Sequence, residues 1–373
     1  MSSTVSKDRL AAALERATRS LTAELQDAPH WCGELSSSAL STATAVIALS
    51  ALPPEQAEPE DLARIRGGLA WLVSWQNPDG GWGDTERSHS NISTTALTWA
   101  AFGAAGADAE FPQVLASCTQ WLQTASGAKG NGWEQALAEA IRKRYGKDRT
   151  FSVPILTACI LSGRLGTKGW REVPALPFEL AALPHSFYGA MQLPVVSYAL
   201  PALIAIGRAI HRHAPVRNPL VRGLRNALRD FTGAKLETLQ PENGGFLEAT
   251  PLTSFVLMSL AACGEAHHRT GLRAAQFLRA SVRADGSWPI DTNLSTWTST
   301  WAINALSQHG LPLHDHQRQA LRQWLIGQQG RRIHPYTNAA PGGWAWTDLP
   351  GGVPDADDTA GALLALLALA PSA

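Results

Sequence analysis

An all-α fold, a toroid of paired helices, follows from two features of this 373-residue sequence. One is a turn that recurs along the chain. It reads Gln76-Asn77-Pro78-Asp79-Gly80-Gly81-Trp82, then Gln240-Pro241-Glu242-Asn243-Gly244-Gly245-Phe246, then Ala284-Asp285-Gly286-Ser287-Trp288. Gln329 and Gly342-Gly343-Trp344 form a further copy, stretched by an insertion. The other feature is the helical period of the apolar residues between these turns. Each unit is helix, turn, aromatic, helix, at spacings of roughly 40 to 60 residues, or about twice that where a copy is degraded. Such helix pairs bury their apolar faces around a common axis. The Gln side chains are expected to cap backbone groups and the indoles to clamp adjacent helices.

Ser6 to Gln26 reads as one amphipathic helix, with Leu10, Ala13, Leu14, Ala17 and Leu21 on its apolar face. Helices follow near Ser38–Leu52 and Pro59–Gln76, and another opens after Ser93-Thr94-Thr95. Trp121-Leu122 to Gly132-Trp133 is a weaker copy of the unit. From Pro194 onward the pattern gives seven helices, near Val195–His211, Pro219–Phe231, Pro251–Cys263, His268–Ser281, Ser295–Gln308, Asp315–Gln328 and Asp357–Ala370.

A net charge of zero with 17% charged residues argues against a nucleic-acid surface. The 14 Trp outnumber the nine Phe and the four Tyr. Cys32, Cys118, Cys159 and Cys263 have no metal-ligand spacing and read as reduced, buried thiols. Met1 to Leu10 lacks the apolar core of a signal peptide. The most apolar stretch, Leu193 to Gly207, is short and broken by Ser197 and Pro201, so no bilayer span is expected. These features fit a cytoplasmic protein, soluble or lying on a membrane.

The stretch Pro354-Asp355-Ala356-Asp357-Asp358-Thr359-Ala360 precedes an apolar run from Gly361 to Ala370. Asp358 and Thr359 are expected to supply the N-cap and first turn of a helix. Three carboxylates this close cannot all ionise cheaply, so one should hold its proton near neutral pH. The positive end of the helix dipole stabilises the anion left when that proton departs. Such a site suits protonation of a very weak base, such as an alkene. Aligned on the turns, Asp355 to Ala360 falls opposite Asn91-Ile92-Ser93-Thr94-Thr95-Ala96, where the helix starts without charge. The architecture therefore does not require the acids.

The Asp-x-Asp-Asp motif together with the Gln…Gly-x-Trp turns resembles the class II terpene cyclases of the squalene–hopene cyclase family, from Ser38 to Leu369. The resemblance implies one inserted barrel plus an incomplete catalytic barrel. Residues 1–37 would be an N-terminal helix joining the catalytic barrel, 38–193 the inserted barrel, and 194–373 the first part of the catalytic barrel. It implies Asp357 as the Brønsted acid, with Asp355 and Asp358 as its partners. Trp346 and Trp297 would be cation-stabilising aromatics, whose faces attract a carbocation without attacking it. In the inserted barrel, where the family has an aromatic facing the cavity, this chain reads Pro154-Ile155.

The implied activity is acid-initiated cyclisation of a linear isoprenoid, squalene to a polycyclic triterpene such as hopene, with no metal or redox cofactor. A prenyl diphosphate ranks below squalene, with Arg142-Lys143-Arg144 as a candidate basic patch that reads first as a solvated helix face. The other alternative is a split-cyclase or truncated subunit, because the family continues beyond this motif and supplies a His partner to the acid. His334 matches no catalytic position and reads as a loop residue. Expected partners are the isoprenoid, a monotopic membrane contact, and a complementary C-terminal chain or a second copy.

Overall fold

The computed structural model describes residues 6–25, 28–33, 35–128, 130, 132–184, 187–188, 200–334 and 337–370. Fifteen α-helices organise the described residues, with isolated β-bridges but no strand among them. The chain forms two compact units. One runs from Leu35 to Thr292, and the other joins Met1–Glu34 to Asn293–Ala373.

In the 35–292 unit, five helices touch one another in a closed circuit: α2 (Ala39–Ser50), α4 (Ile92–Ala104), α7 (Arg149–Leu161), α8 (Leu200–His213) and α11 (Thr250–Ala262), which returns to α2. Helices surrounded on every side must be apolar or small all round, and α2 is: its sequence ALSTATAVIALS is buried from Ser41 to Leu49. Of its hydroxyls, Thr44 Oγ1 turns back on the helix and donates to Ser41 O at 3.0 Å, while Thr42 Oγ1 accepts from Trp288 N at 3.0 Å. Around the circuit lie α3 (Asp61–Ser74) on α2, α5 (Pro112–Ser126) on α4, α6 (Trp133–Tyr145) on α7, and α12 (Arg269–Ser281) on α11. The short α9 (Pro219–Ala227) leads into α10 (Arg229–Leu239), which covers α8. This is an α/α toroid.

The inserted-barrel boundary expected at 193/194 falls outside the described residues, and the compact unit extends past it to Thr292. The reason is ring closure. Without α8 and α11, the faces of α7 and α2 would have no neighbours to complete the circuit. The expected helix over Pro219–Phe231 is two helices, broken at Leu228.

The turns behave as clamps. Gln76 Nε2 donates to Gly80 O and Val114 O at 2.9 and 3.0 Å, and Gln240 Nε2 to Gly244 O and Thr270 O at 3.1 and 3.0 Å. The indoles of Trp82 and Trp288 are fully buried and donate to Leu72 O and Leu278 O, each ten residues back. Gly80, Gly244 and Gly286 have φ near +89°, +89° and +87°, and a Cβ on any of them would strike the facing backbone at 2.2 to 2.7 Å. Only glycine meets both demands. The weaker copy lacks this clamp: Trp121 Nε1 donates to Asp79, and Trp133 packs on Trp99 at 4.9 Å.

The second unit contains α1 (Lys7–Leu25), α13 (Ser295–Ser307), α14 (Asp315–Gly327) and α15 (Ala356–Ala368). Its own core gathers Leu25, Trp31, Ile303, Leu321, Leu325, Trp344 and Leu369. α13 packs along α15, and Asn304 Nδ2 ties the pair by donating to Gly361 O at 3.2 Å. Trp31 Nε1 donates to Leu21 O at 2.8 Å, again ten residues back.

Candidate active site

The acidic motif is held by a turn clamp of the same design. Trp344 Nε1 donates to Leu325 O at 2.7 Å, which anchors the indole. The backbone of Trp344 then sets the start of α15: its carbonyl accepts from Asp355 N at 3.1 Å, and its N–H donates to Thr359 Oγ1 at 3.0 Å. The N-cap is Asp355, whose Oδ1 accepts from Asp358 N at 2.8 Å. The helix therefore begins at Ala356, earlier than the Asp358/Thr359 start expected from the sequence. A carboxylate satisfies the free first-turn N–H groups as well as a hydroxyl does, and the extended backbone of Asp355 (φ −135°) fits the cap.

The three carboxylates then meet different surroundings. Asp358 is buried at 4% exposure, Asp355 is half-buried and Asp357 is exposed. Burial first, then the charge of Asp355, a side-chain hydrogen bond with Asp355 and the charge of Asp357, push the Asp358 carboxyl up to about 7. Its Oδ1 is buried without a hydrogen-bond partner. The proton that the crowded motif was expected to retain thus resides on Asp358, shared through its contact with Asp355. The exposed side chain beside it is Asp357.

Trp346 and Trp297 are brought together by the backbone, since Trp297 N donates to Trp346 O at 3.0 Å. Trp346 is half-buried, with Nε1 buried and unpartnered, whereas Trp297 is 41% exposed. Sequence reasoning missed Trp301. It lies one turn along α13 from Trp297, at 5.5 Å between ring centroids, and is 64% exposed. Two tryptophans spaced by four on one helix, Trp297 and Trp301, were the available signal. His334 bonds within its own loop, its Nδ1 lying 3.2 Å from Thr337 Oγ1, and burial lowers its pKa.

In the other unit, a groove of about 1060 Å³ opens at the start of α4, along Ile92, Ser93, Tyr145 and Phe151. Phe151 stacks on Tyr145 at 5.5 Å, while Pro154 and Ile155 are buried in α7. The exposed aromatic surface at this helix start is Phe151, three residues before Pro154-Ile155.

Residues 14–133 match the family model of the squalene-hopene cyclase N-terminal domain. The chain is similar to the squalene-hopene cyclases. A curated relative, the squalene hopane cyclase afumA of Aspergillus fumigatus, is 27% identical over 158 residues, which are 42% of this chain and 18% of that protein. Two solved structures of the type II terpene cyclase MstE from Scytonema also match. The apo form is 14% identical, over 74% of this chain and 80% of its own, with a TM-score of 0.32. The form bound to its product merosterolic acid A is 14% identical, over 95% of each chain, with a TM-score of 0.24. Scores this low do not define a common arrangement.

Proposed function

We propose that this chain carries the acid site of a class II terpene cyclase, with Asp357 protonating the terminal alkene of a linear isoprenoid, squalene first. The observation that carries the reading is the Asp358 carboxyl, which keeps a proton up to about pH 7 beside an exposed Asp357 at a helix N-terminus. In the proposed step Asp357 takes up the proton held at Asp358 and passes it to the alkene π pair, leaving both groups as carboxylates and a tertiary cation on the substrate. The helix dipole and first-turn N–H groups stabilise the carboxylates, and a proton from solvent returns to Asp358 for the next cycle. Trp346 and Trp297 present ring faces to the cation as successive rings close. Loss of a proton from the final cation makes the overall reaction an isomerisation.

Water would capture the cation, so the chemistry requires the site to be covered. The face of α15 bearing Leu363, Leu364 and Leu367 is 51, 59 and 72% exposed and offers apolar surface for further protein or a bilayer. No helix among the described residues is long and apolar enough to cross a membrane. The test supplies squalene to the purified protein and analyses the extracted products. Polycyclic product that disappears in Asp357→Asn, with helix content retained, supports the reading, and undiminished turnover in that variant overturns it. Trp346→Leu is expected to give early-terminated products, and Trp346→Phe a milder change because a ring face survives.

A further inference from the structure

We propose that an arginine-lined cavity of the 35–292 unit, between α8, α9 and α10, binds a phosphate-bearing anion. The cavity encloses about 260 Å³ and is lined by Arg208, Arg212, Arg222, Arg225, Arg229 and His211. Arg208 and Arg225 are 8% and 5% exposed, so their charges need compensation. Glu265 lies 2.6 Å from Arg208 and also pairs with Arg229, while Glu179 lies 2.9 Å from Arg225. Two carboxylates thus face five guanidinium groups, with Asp230 adding only to the field around Arg229. Arg212 and Arg222 form no ion pair with any described carboxylate.

The hydrogen bonds are equally incomplete. Arg208 Nε is buried with no partner, and Gly233 leaves room for this guanidinium, since a Cβ there would lie 2.6 Å from Arg208 Nη1. His211 is held at the cavity wall by Nε2, which donates to Asn226 Oδ1 at 2.9 Å. A network serving structure alone would satisfy its buried donors, because each orphan has a desolvation cost. A ligand with several anionic oxygens meets the forked N–H groups bidentately and offsets the surplus charge, which a single carboxylate would not. At roughly 30 Å³ per water, the space corresponds to about nine waters and suits a small polyanion. The anion has two possible sources. It could be a free phosphate or diphosphate, or a lipid headgroup, given that Leu220 and Leu224 on α9 are exposed beside Arg222.

The experiment uses the full chain. Inorganic diphosphate is titrated calorimetrically, and sedimentation is measured with phosphatidylcholine vesicles with and without phosphatidate. Arg212→Ala/Arg222→Ala removes two exposed, unpaired cations and leaves the buried pairs intact. Lys7→Ala/Arg9→Ala removes two exposed cations from α1 as a control. Saturable diphosphate binding that is weakened about tenfold or more by the first pair and unchanged by the control identifies a free-anion site. Phosphatidate-dependent sedimentation with the same variant pattern identifies a headgroup site. Absence of both, or equal weakening by the two pairs, overturns the proposal.

Discussion

The starts of α4 and α15 share one scaffold and differ in what it carries. At α4, Asn91 N donates to Trp82 O at 3.0 Å and Trp82 N to Thr95 Oγ1 at 2.9 Å, with Asn91 as the N-cap. At α15 the same bonds join Asp355, Trp344 and Thr359 at 3.1 and 3.0 Å. The side chains between cap and threonine then diverge. Thr94 and Asn91 both donate to a single carboxylate, Asp84, and Ser93 bonds Tyr145 at 2.6 Å. At α15 those positions hold Asp358, Asp355 and Asp357, all acceptors when ionised. The backbone tolerates either set. One set satisfies itself, and the other must hold a proton or bear repulsion, which is the condition for an acid.

The sharpest break in this comparison is expected from Asp357→Asn. An amide keeps the shape and cannot deliver the proton, so turnover should fall by about 10²–10⁴-fold or more, measured as product from squalene. Ser93→Ala, at the matching position of α4, should leave turnover within about twofold, because it touches a cap without acid chemistry. Equal losses in the two variants would assign the effect to the scaffold.

A smaller effect tests the shared scaffold itself. Thr359→Val and Thr95→Val leave the backbone N–H of Trp344 and of Trp82, respectively, without its acceptor, at a cost of about 1–3 kcal/mol in denaturant unfolding. The two costs should agree within about 0.5 kcal/mol, because the two sites make the same bond. A much cheaper Thr359→Val would mean that the α15 clamp relaxes where the α4 clamp does not.

Much of this design was legible in the residues. The Gln-to-aromatic turns, their capping and clamping roles, and the register of Asp355 against Asn91 all follow from local chemistry that repeats along the chain. The Trp31 clamp was legible too, since a Leu stands ten residues before Trp31, Trp82, Phe246 and Trp288 alike. The closure of the ring was not. It depends on α11 packing against α2, more than two hundred residues away, and helical period says nothing about which neighbour an all-apolar helix meets. Nor was the difference between Asp357 and Asp358 legible. Adjacent helical residues point about 100° apart, and which one turns inward depends on whether the helix starts at Ala356 or at Asp358.

That inward turn makes the last and smallest prediction. Asp358 has a folded-state pKa of about 7 against an ordinary 3.8, so the folded protein binds its proton more tightly than the unfolded chain does. Stability from this carboxyl is therefore fully present below pH 3.8 and is lost as pH rises through about 7. Asp358→Thr, which installs the α4 side chain, removes the titrating group and its pH dependence. The difference in melting temperature, variant minus wild type, should grow in the variant's favour across that window and level off above it. The shift should be on the order of 2–4 °C for each kcal/mol of relieved repulsion. Thr94→Asp should impose the opposite trend at α4, because it sets a second carboxylate against Asp84 where a hydroxyl now donates. A flat difference for Asp358→Thr between pH 4 and 8 would remove the held proton from the account, and with it the electrostatic distinction between the two helix starts.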